Sequence, residues 1–213
     1  GKTFRWHGRY ATDMNSRQTL DVQLNTFGDF KPVVPASYKD TPFVFLANGS
    51  PATQASVLDQ MKAPRFCVAD TMDLWIEHHR DGLLALLPRL DGLIVNDSEV
   101  KQLTGKSNLI QAGRAALALG PKLVIVKKGE HGCFVFTNFF HYALPAYPTE
   151  TVVDPTGAGV EVKRTDIALA FDAMAPDDAM KAIRYVVNRF AESPPGAAMP
   201  ETLSSAFETM VHD

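Results

Sequence analysis

The sequence predicts an α/β protein: a mostly parallel central sheet with helices layered on both of its faces. Three observations carry that prediction. Short, largely apolar runs recur at 43–47, 65–69, 92–95 and 122–126, the form taken by strands buried on both faces. Between and after them lie stretches of helical length and pattern at 53–61, 75–87, 98–104 and 109–119, and strands alternating with helices at this spacing build βαβ units. Finally, Val152-Val153-Asp154-Pro155-Thr156-Gly157-Ala158-Gly159-Val160 reads as strand end, tight turn and helix start.

Residues 1–35 mix aromatic and polar side chains and close on Lys31-Pro32-Val33-Val34-Pro35, which prolines keep out of a central strand. A solvated β edge with one packed tryptophan fits them. The run at 43–47 is stopped by Asn48-Gly49-Ser50-Pro51, a loop that hands over to a helix. Ligands of such sheets sit at the carboxyl ends of the strands, so the polar residues that follow each strand are the ones to inspect. They are Asn48, then Asp70 and Asp73, then Asn96 and Glu99, then Lys127, Lys128 and Glu130. Each also suits a turn or a helix cap, and Asp97 or Ser98 is the natural cap for the helix that begins near Glu99. A hairpin into 133–136, a strand at 139–144 and helical patterns at 167–174, 176–190 and 202–211 complete the chain.

With 213 residues, 46% hydrophobic and 21% charged, the chain suits one globular domain with a real core. A formal charge of -3 and a pI near 6.1 supply no basic field for nucleic acid or an anionic membrane. No apolar run approaches the length of a bilayer span, and no charged-then-apolar leader stands at the start. Cys67 and Cys133 both fall in strand-like segments, which favours buried, reduced thiols and a cytoplasmic setting. The adjacent His78 and His79 lack the i, i+4 spacing of two metal ligands on one helical face.

The turn at 154–159 has two readings. It is an ordinary glycine-rich connection, or it aims free N–H groups at an anion from a helix start. Asp154-Pro155-Thr156-Gly157-Ala158-Gly159 resembles the C-terminal signature of the ribokinase-like (phosphofructokinase-B, pfkB) carbohydrate kinases, Asp-[Thr/Pro]-[Thr/Val]-Gly-Ala-Gly-Asp. Asn96-Asp97-Ser98-Glu99 with Leu103-Thr104-Gly105 is similar to the family's Asn-x-x-Glu motif, and Lys127-Lys128-Gly129-Glu130-His131-Gly132 to its Lys/Gly turn. The resemblance covers about residues 40–160 well. It implies a three-layer, Rossmann-like fold with a small β lid and transfer of a phosphoryl group from ATP to a sugar or related hydroxyl.

Carried over position by position, the resemblance implies an anion hole at Gly157, Ala158 and Gly159. Nucleotide contacts would come from Asn96, Lys128, Gly129, Gly132, Thr156 and Asn188, and Glu99 would be associated with Mg²⁺ through water or phosphate. Mg²⁺ keeps several waters and is held by few carboxylates together with substrate phosphates; the plainer reading of Glu99 is a first-turn acid favoured by the helix dipole. The turn at 128–132 is also a simple hairpin. Arg5, Trp6, Arg9, Asp13 and Asn15 are the lid-contact candidates. The family's catalytic base position is occupied by Val160, which cannot accept a proton, and Lys163 and Arg164 stand where small residues are usual. Glu161 points about 100° away around a helix, and Asp166 lies roughly 9 Å further along it.

The chain is therefore expected to be a family member lacking an N-terminal part, acting on a small sugar-like substrate, with room for a homodimer. A non-catalytic nucleotide- or sugar-binding relative is the alternative. A nicotinamide dehydrogenase is disfavoured, since no Gly-x-Gly-x-x-Gly follows an early strand.

Overall fold

A computed structural model describes residues 1–12, 17–139 and 141–146. Two sheets form. In the smaller, β1 (Arg5–Tyr10) pairs antiparallel with β2 (Arg17–Gln23), with a bulge between His7 and Gly8. β1 alternates exposed and half-buried positions, and Trp6 Nε1 donates to Thr19 Oγ1 at 3.2 Å. β1 and β2 thus form a solvated sheet of their own, with Trp6 half-buried on it, and not an edge of the main sheet. The chain then turns at Asn25, whose φ of 48° is held by Asn25 Nδ2 donating to Thr3 O at 2.8 Å. Gln60 receives the proline-rich stretch beyond, its Nε2 donating to Pro32 O and its Oε1 accepting from Val34 N, both at 2.9 Å.

The main sheet has six strands in sequence order. β3 (Phe43–Leu46), β4 (Phe66–Asp70), β5 (Gly92–Asn96) and β6 (Leu123–Lys127) run parallel; β7 (Cys133–Thr137) and β8 (His141–Leu144) return as antiparallel hairpins. The crossovers are α1 (Pro51–Gln60), α2 (Asp73–His78) with α3 (Arg80–Leu86), and α4 (Asp97–Thr104) with α5 (Leu109–Leu117). α1 starts two residues before the expected boundary because Ser50 caps it, accepting from Thr53 N at 3.0 Å, with Pro51 in the first helical position.

The single helix expected at 75–87 is instead two. His79 breaks it with φ −130° and ψ 33°. Each half is anchored to a different neighbour: Trp75 Nε1 donates to Asn48 Oδ1, and Arg80 Nη2 donates to Leu103 O at the end of α4. One straight helix does not satisfy both. His78 and His79 are exposed, and the His79 ring lies against Trp75.

Right-handed crossovers that always step in the same direction place their helices on one face of the sheet. Accordingly, Leu83, Leu86, Val100, Leu103, Ala112 and Ala116 form one core with Leu93, Val95, Val124, Val126 and Phe136. The strands' opposite side chains, Ile94, Leu123, Ile125, Cys133, Val135 and Leu144, form a second cluster. The helices expected at 167–174, 176–190 and 202–211 fall outside the described residues, as does the turn at 152–160. At the amino end of the parallel strands Asp91 ties three of them together. Its Oδ2 accepts from Cys67 N at 2.9 Å, its Oδ1 from Lys122 Nζ at 2.7 Å and its carbonyl from Leu123 N at 3.0 Å. Among the described residues no helix is long and apolar enough to cross a membrane.

Candidate functional site

Because β3 to β6 are parallel, the loops carrying Asn48, Asp70–Asp73, Asn96–Glu99 and Lys127–Gly132 leave one edge of the sheet. Asn96 and Lys127 are direct register partners on neighbouring strands, which brings the Asn-x-x-Glu and Lys/Gly motifs side by side. β5 ends at Asn96, and a polar side chain there can cap the helix that starts immediately afterwards. Asn96 Oδ1 accepts from Glu99 N and from Ser98 Oγ, both at 2.8 Å, while Glu99 Oε2 accepts from Asn96 N at 2.7 Å. This is a reciprocal capping box. Asn96 is therefore the cap that was expected at Asp97 or Ser98. Its Oδ1 is committed to α4, leaving its amide N–H₂ as the group it can offer a ligand.

Glu99 is only 5% exposed and has one carboxylate oxygen engaged by backbone. Among the described residues no group of three or more His, Cys, Asp or Glu is arranged to hold a metal ion. One fixed carboxylate beside register-paired Asn96 and Lys127 does not fit a protein-caged ion. It does fit a Mg²⁺ that keeps its waters and is carried on phosphate oxygens.

Lys128 is half-buried, its Nζ 4.4 Å from the centroid of the Phe134 ring. The turn after it is a true hairpin: Lys128 N donates to Gly132 O at 2.7 Å, and Gly132 N donates to Gly129 O at 3.1 Å. Gly129 has φ 56° and Gly132 φ 81°. Gly132 is buried, and a Cβ on it would collide with Leu144 O and come within 2.7 Å of Ala146 N. Its glycine is thus required by this chain's own backbone. It lets the end of β8 pass over the β6–β7 turn. Thr156, Gly157, Ala158, Gly159, Val160 and Asn188 lie outside the described residues, as do Asp13 and Asn15.

The β3–β4 end is built differently, around Gln54, which sequence reading passed over, together with Asn48 and Asp70, which it singled out. Gln54, 3% exposed, donates from Nε2 to Leu46 O at 3.0 Å, Ala47 O at 3.2 Å and Asp70 O at 2.9 Å. Asn48 accepts from Trp75 Nε1 at 2.8 Å and points its Nδ2 at Met72 Sδ, 3.1 Å away. Asp70 and Thr71 are buried in the same loop. The available signal was Gln54's place on the stripe Pro51, Gln54, Leu58 of α1, a polar residue at an inward position of helical period. Arg5 and Arg9 are exposed on β1 and Trp6 is half-buried there.

Residues 8–159 match the family described as pfkB family carbohydrate kinase. The chain is 31% identical over 131 residues to a cytidine kinase of Thermococcus kodakarensis, a match covering 59% of this chain and 46% of that protein. It is 37% identical over 81 residues to fructokinase-2 of Zea mays, covering 38% of this chain and 24% of that one. The crystal structure of a PfkB protein from Polaromonas sp. JS666 superimposes with a TM-score of 0.57 at 21% identity, covering 91% of this chain and 68% of the other. That likeness speaks for the fold. The matched part of the chain spans less than half the length of either kinase.

Proposed function

Because the chain belongs to the pfkB family of carbohydrate kinases, we propose that it transfers a phosphoryl group from ATP to a hydroxyl of a sugar or nucleoside. The observation that carries this reading is the side-by-side placement of Asn96 and Lys127, with Glu99 buried and bonded to the Asn96 backbone, at the carboxyl edge of a parallel sheet. Phosphoryl transfer asks the protein mainly for positioning and charge stabilisation. Asn96 offers an amide donor, Lys127 and Lys128 offer positive charge, and Glu99 offers one fixed carboxylate toward a metal's water shell. Gly157, Ala158 and Gly159 would give backbone N–H groups to the transferring phosphate. Mg²⁺, when bound, supplies neutralisation of the phosphate charge.

A second reading, a nucleotide- or sugar-binding protein without turnover, is favoured by Val160 at the base position and by Lys163 and Arg164 after it. Loss of a general base costs about 10²–10⁴-fold in rate, so the two readings separate experimentally. Calorimetric titration with ATP, with and without Mg²⁺, comes first: magnesium-dependent binding supports the kinase site, and absence of binding removes it. Val160→Asp is then expected to raise turnover by about 10²–10⁴-fold. Magnesium-dependent binding with no gain from that substitution favours the non-catalytic reading.

A further inference from the structure

The β3–β4 ladder ends at the pair Leu46↔Ala69, beyond which the two chains separate. The carbonyls at and just past that point need donors. Gln54 supplies them, its one amide nitrogen reaching Leu46 O, Ala47 O and Asp70 O. From those fixed points the chains continue directly into Asn48 and Thr71, and Asn48 bridges to Met72 and Trp75. A carboxamide suits this place for a chemical reason. Three acceptors converge, so a glutamate would bring no proton and a leucine would leave buried carbonyls without donors.

Gln54 Oε1 and Thr71 Oγ1 are buried in this loop pair without a hydrogen-bond partner among the described residues, polar capacity beyond what holding the fold requires. The segment that follows β2 is moored against β3 and α1. The Phe27 ring comes within 3.8 Å of where a Cβ on Gly49 would lie, and Gln60 of α1 holds Pro32 and Val34. Asn96 and Lys127, the phosphate side of the proposed site, belong to the other strand pair.

We propose that Gln54 is the positioning residue for the acceptor: it locks the Asn48 and Asp70–Asp73 loops into one arrangement that receives a polyhydroxylated ring. The ligand part of this assignment rests on the kinase reading; the clamp does not.

The test uses Gln54→Leu and Gln54→Glu in the 213-residue chain. The Trp75 indole N–H resonance, told apart from that of Trp6 by Trp6→Phe, reports the Asn48 bond directly. In Gln54→Leu that resonance is expected to move, and amide exchange at Asn48, Thr71 and Asp73 to rise at least about 10-fold, with Asn96 and Lys128 unchanged. Gln54→Glu gives the same result near neutral pH and recovers part of the wild-type spectrum when acid restores a proton donor. It decides the matter if the leucine variant does not fold. An unmoved Trp75 resonance with unchanged exchange in either folded variant overturns the clamp.

For the ligand, Kd is measured for cytidine and D-fructose as acceptor probes and for Mg–ATP. Loss of acceptor affinity of at least about 10-fold, with Mg–ATP affinity within about 2-fold, is expected of a residue acting only on that side. Equal losses overturn the acceptor assignment, as does wild-type binding of Mg–ATP with neither probe. Failure of wild type to bind any of the three removes the kinase reading and the acceptor assignment with it, while the Trp75 and exchange data still decide the clamp.

Discussion

The two strand pairs that deliver the candidate site are held by different means. At the β5–β6 end the backbone ladder continues to Asn96↔Lys127, α4 is fixed by its own capping box, and the β6–β7 turn closes through main-chain bonds. At the β3–β4 end the ladder stops early, and the side chains of Gln54, Asn48 and Trp75 take over. Local backbone geometry secures the first end and long-range side-chain bonds the second. The first should therefore yield to changes in its own turn or cap, and the second to a change in one distant side chain.

The sharpest way to break the β5–β6 end is Gly132→Ala. The added Cβ meets the β8 carbonyl in a left-handed backbone conformation, and a loss of about 3–5 kcal/mol is expected, read from the urea midpoint. Trp75→Phe attacks the other end by deleting the indole donor to Asn48 while keeping an aromatic ring. About 1–3 kcal/mol should be lost, with raised amide exchange confined to the β3–β4 loops; an even spread of exchange over both ends would erase the distinction drawn above.

Cys67, further back along β4, gives a pH-dependent control. Burial first, then the Asp91 carboxylate, pushes its thiol up to about 12, against some lowering by Arg89. A folded value above the unfolded one means that the stabilisation is complete below the ordinary value of 9.0 and is lost as pH rises through about 12. At pH 10 wild type should lose about 1 kcal/mol relative to its own value at pH 8, and Cys67→Ala should not show this component in parallel urea titrations. The smallest effect has the opposite sign. Gly49, at the β3 end, has no positive φ, and a Cβ there would find nothing nearer than 3.7 Å. Gly49→Ala should stabilise by about 0.4–1 kcal/mol, and a loss as large as that of Gly132→Ala would show the β3 loop to be as tightly constrained as the β6–β7 turn.

The same contrast explains what was legible. Asn96, Glu99, Gly129 and Gly132 announce themselves because caps and tight turns are local: three or four consecutive residues fix the geometry, and only certain side chains permit it. Gln54 was not legible because its partners are 7 to 16 residues away and are carbonyls, which every residue possesses. The break at His79 escaped for a related reason. Trp75 and Arg80 look like parts of one helical stripe until Asn48 and Leu103 pull them toward different neighbours.

By itself the sequence determined the alternation of strands and helices, the parallel direction of β3 to β6, the edge on which the polar loops gather and the family signature, since periodicity, capping and turn chemistry act over a few residues. Tertiary structure alone decided that α1 to α5 lie on one face, that Asn96 and Lys127 stand in register, and that a buried amide joins β3 to β4. Those depend on which distant backbone groups meet once the sheet has formed, and the sequence pattern does not encode them locally.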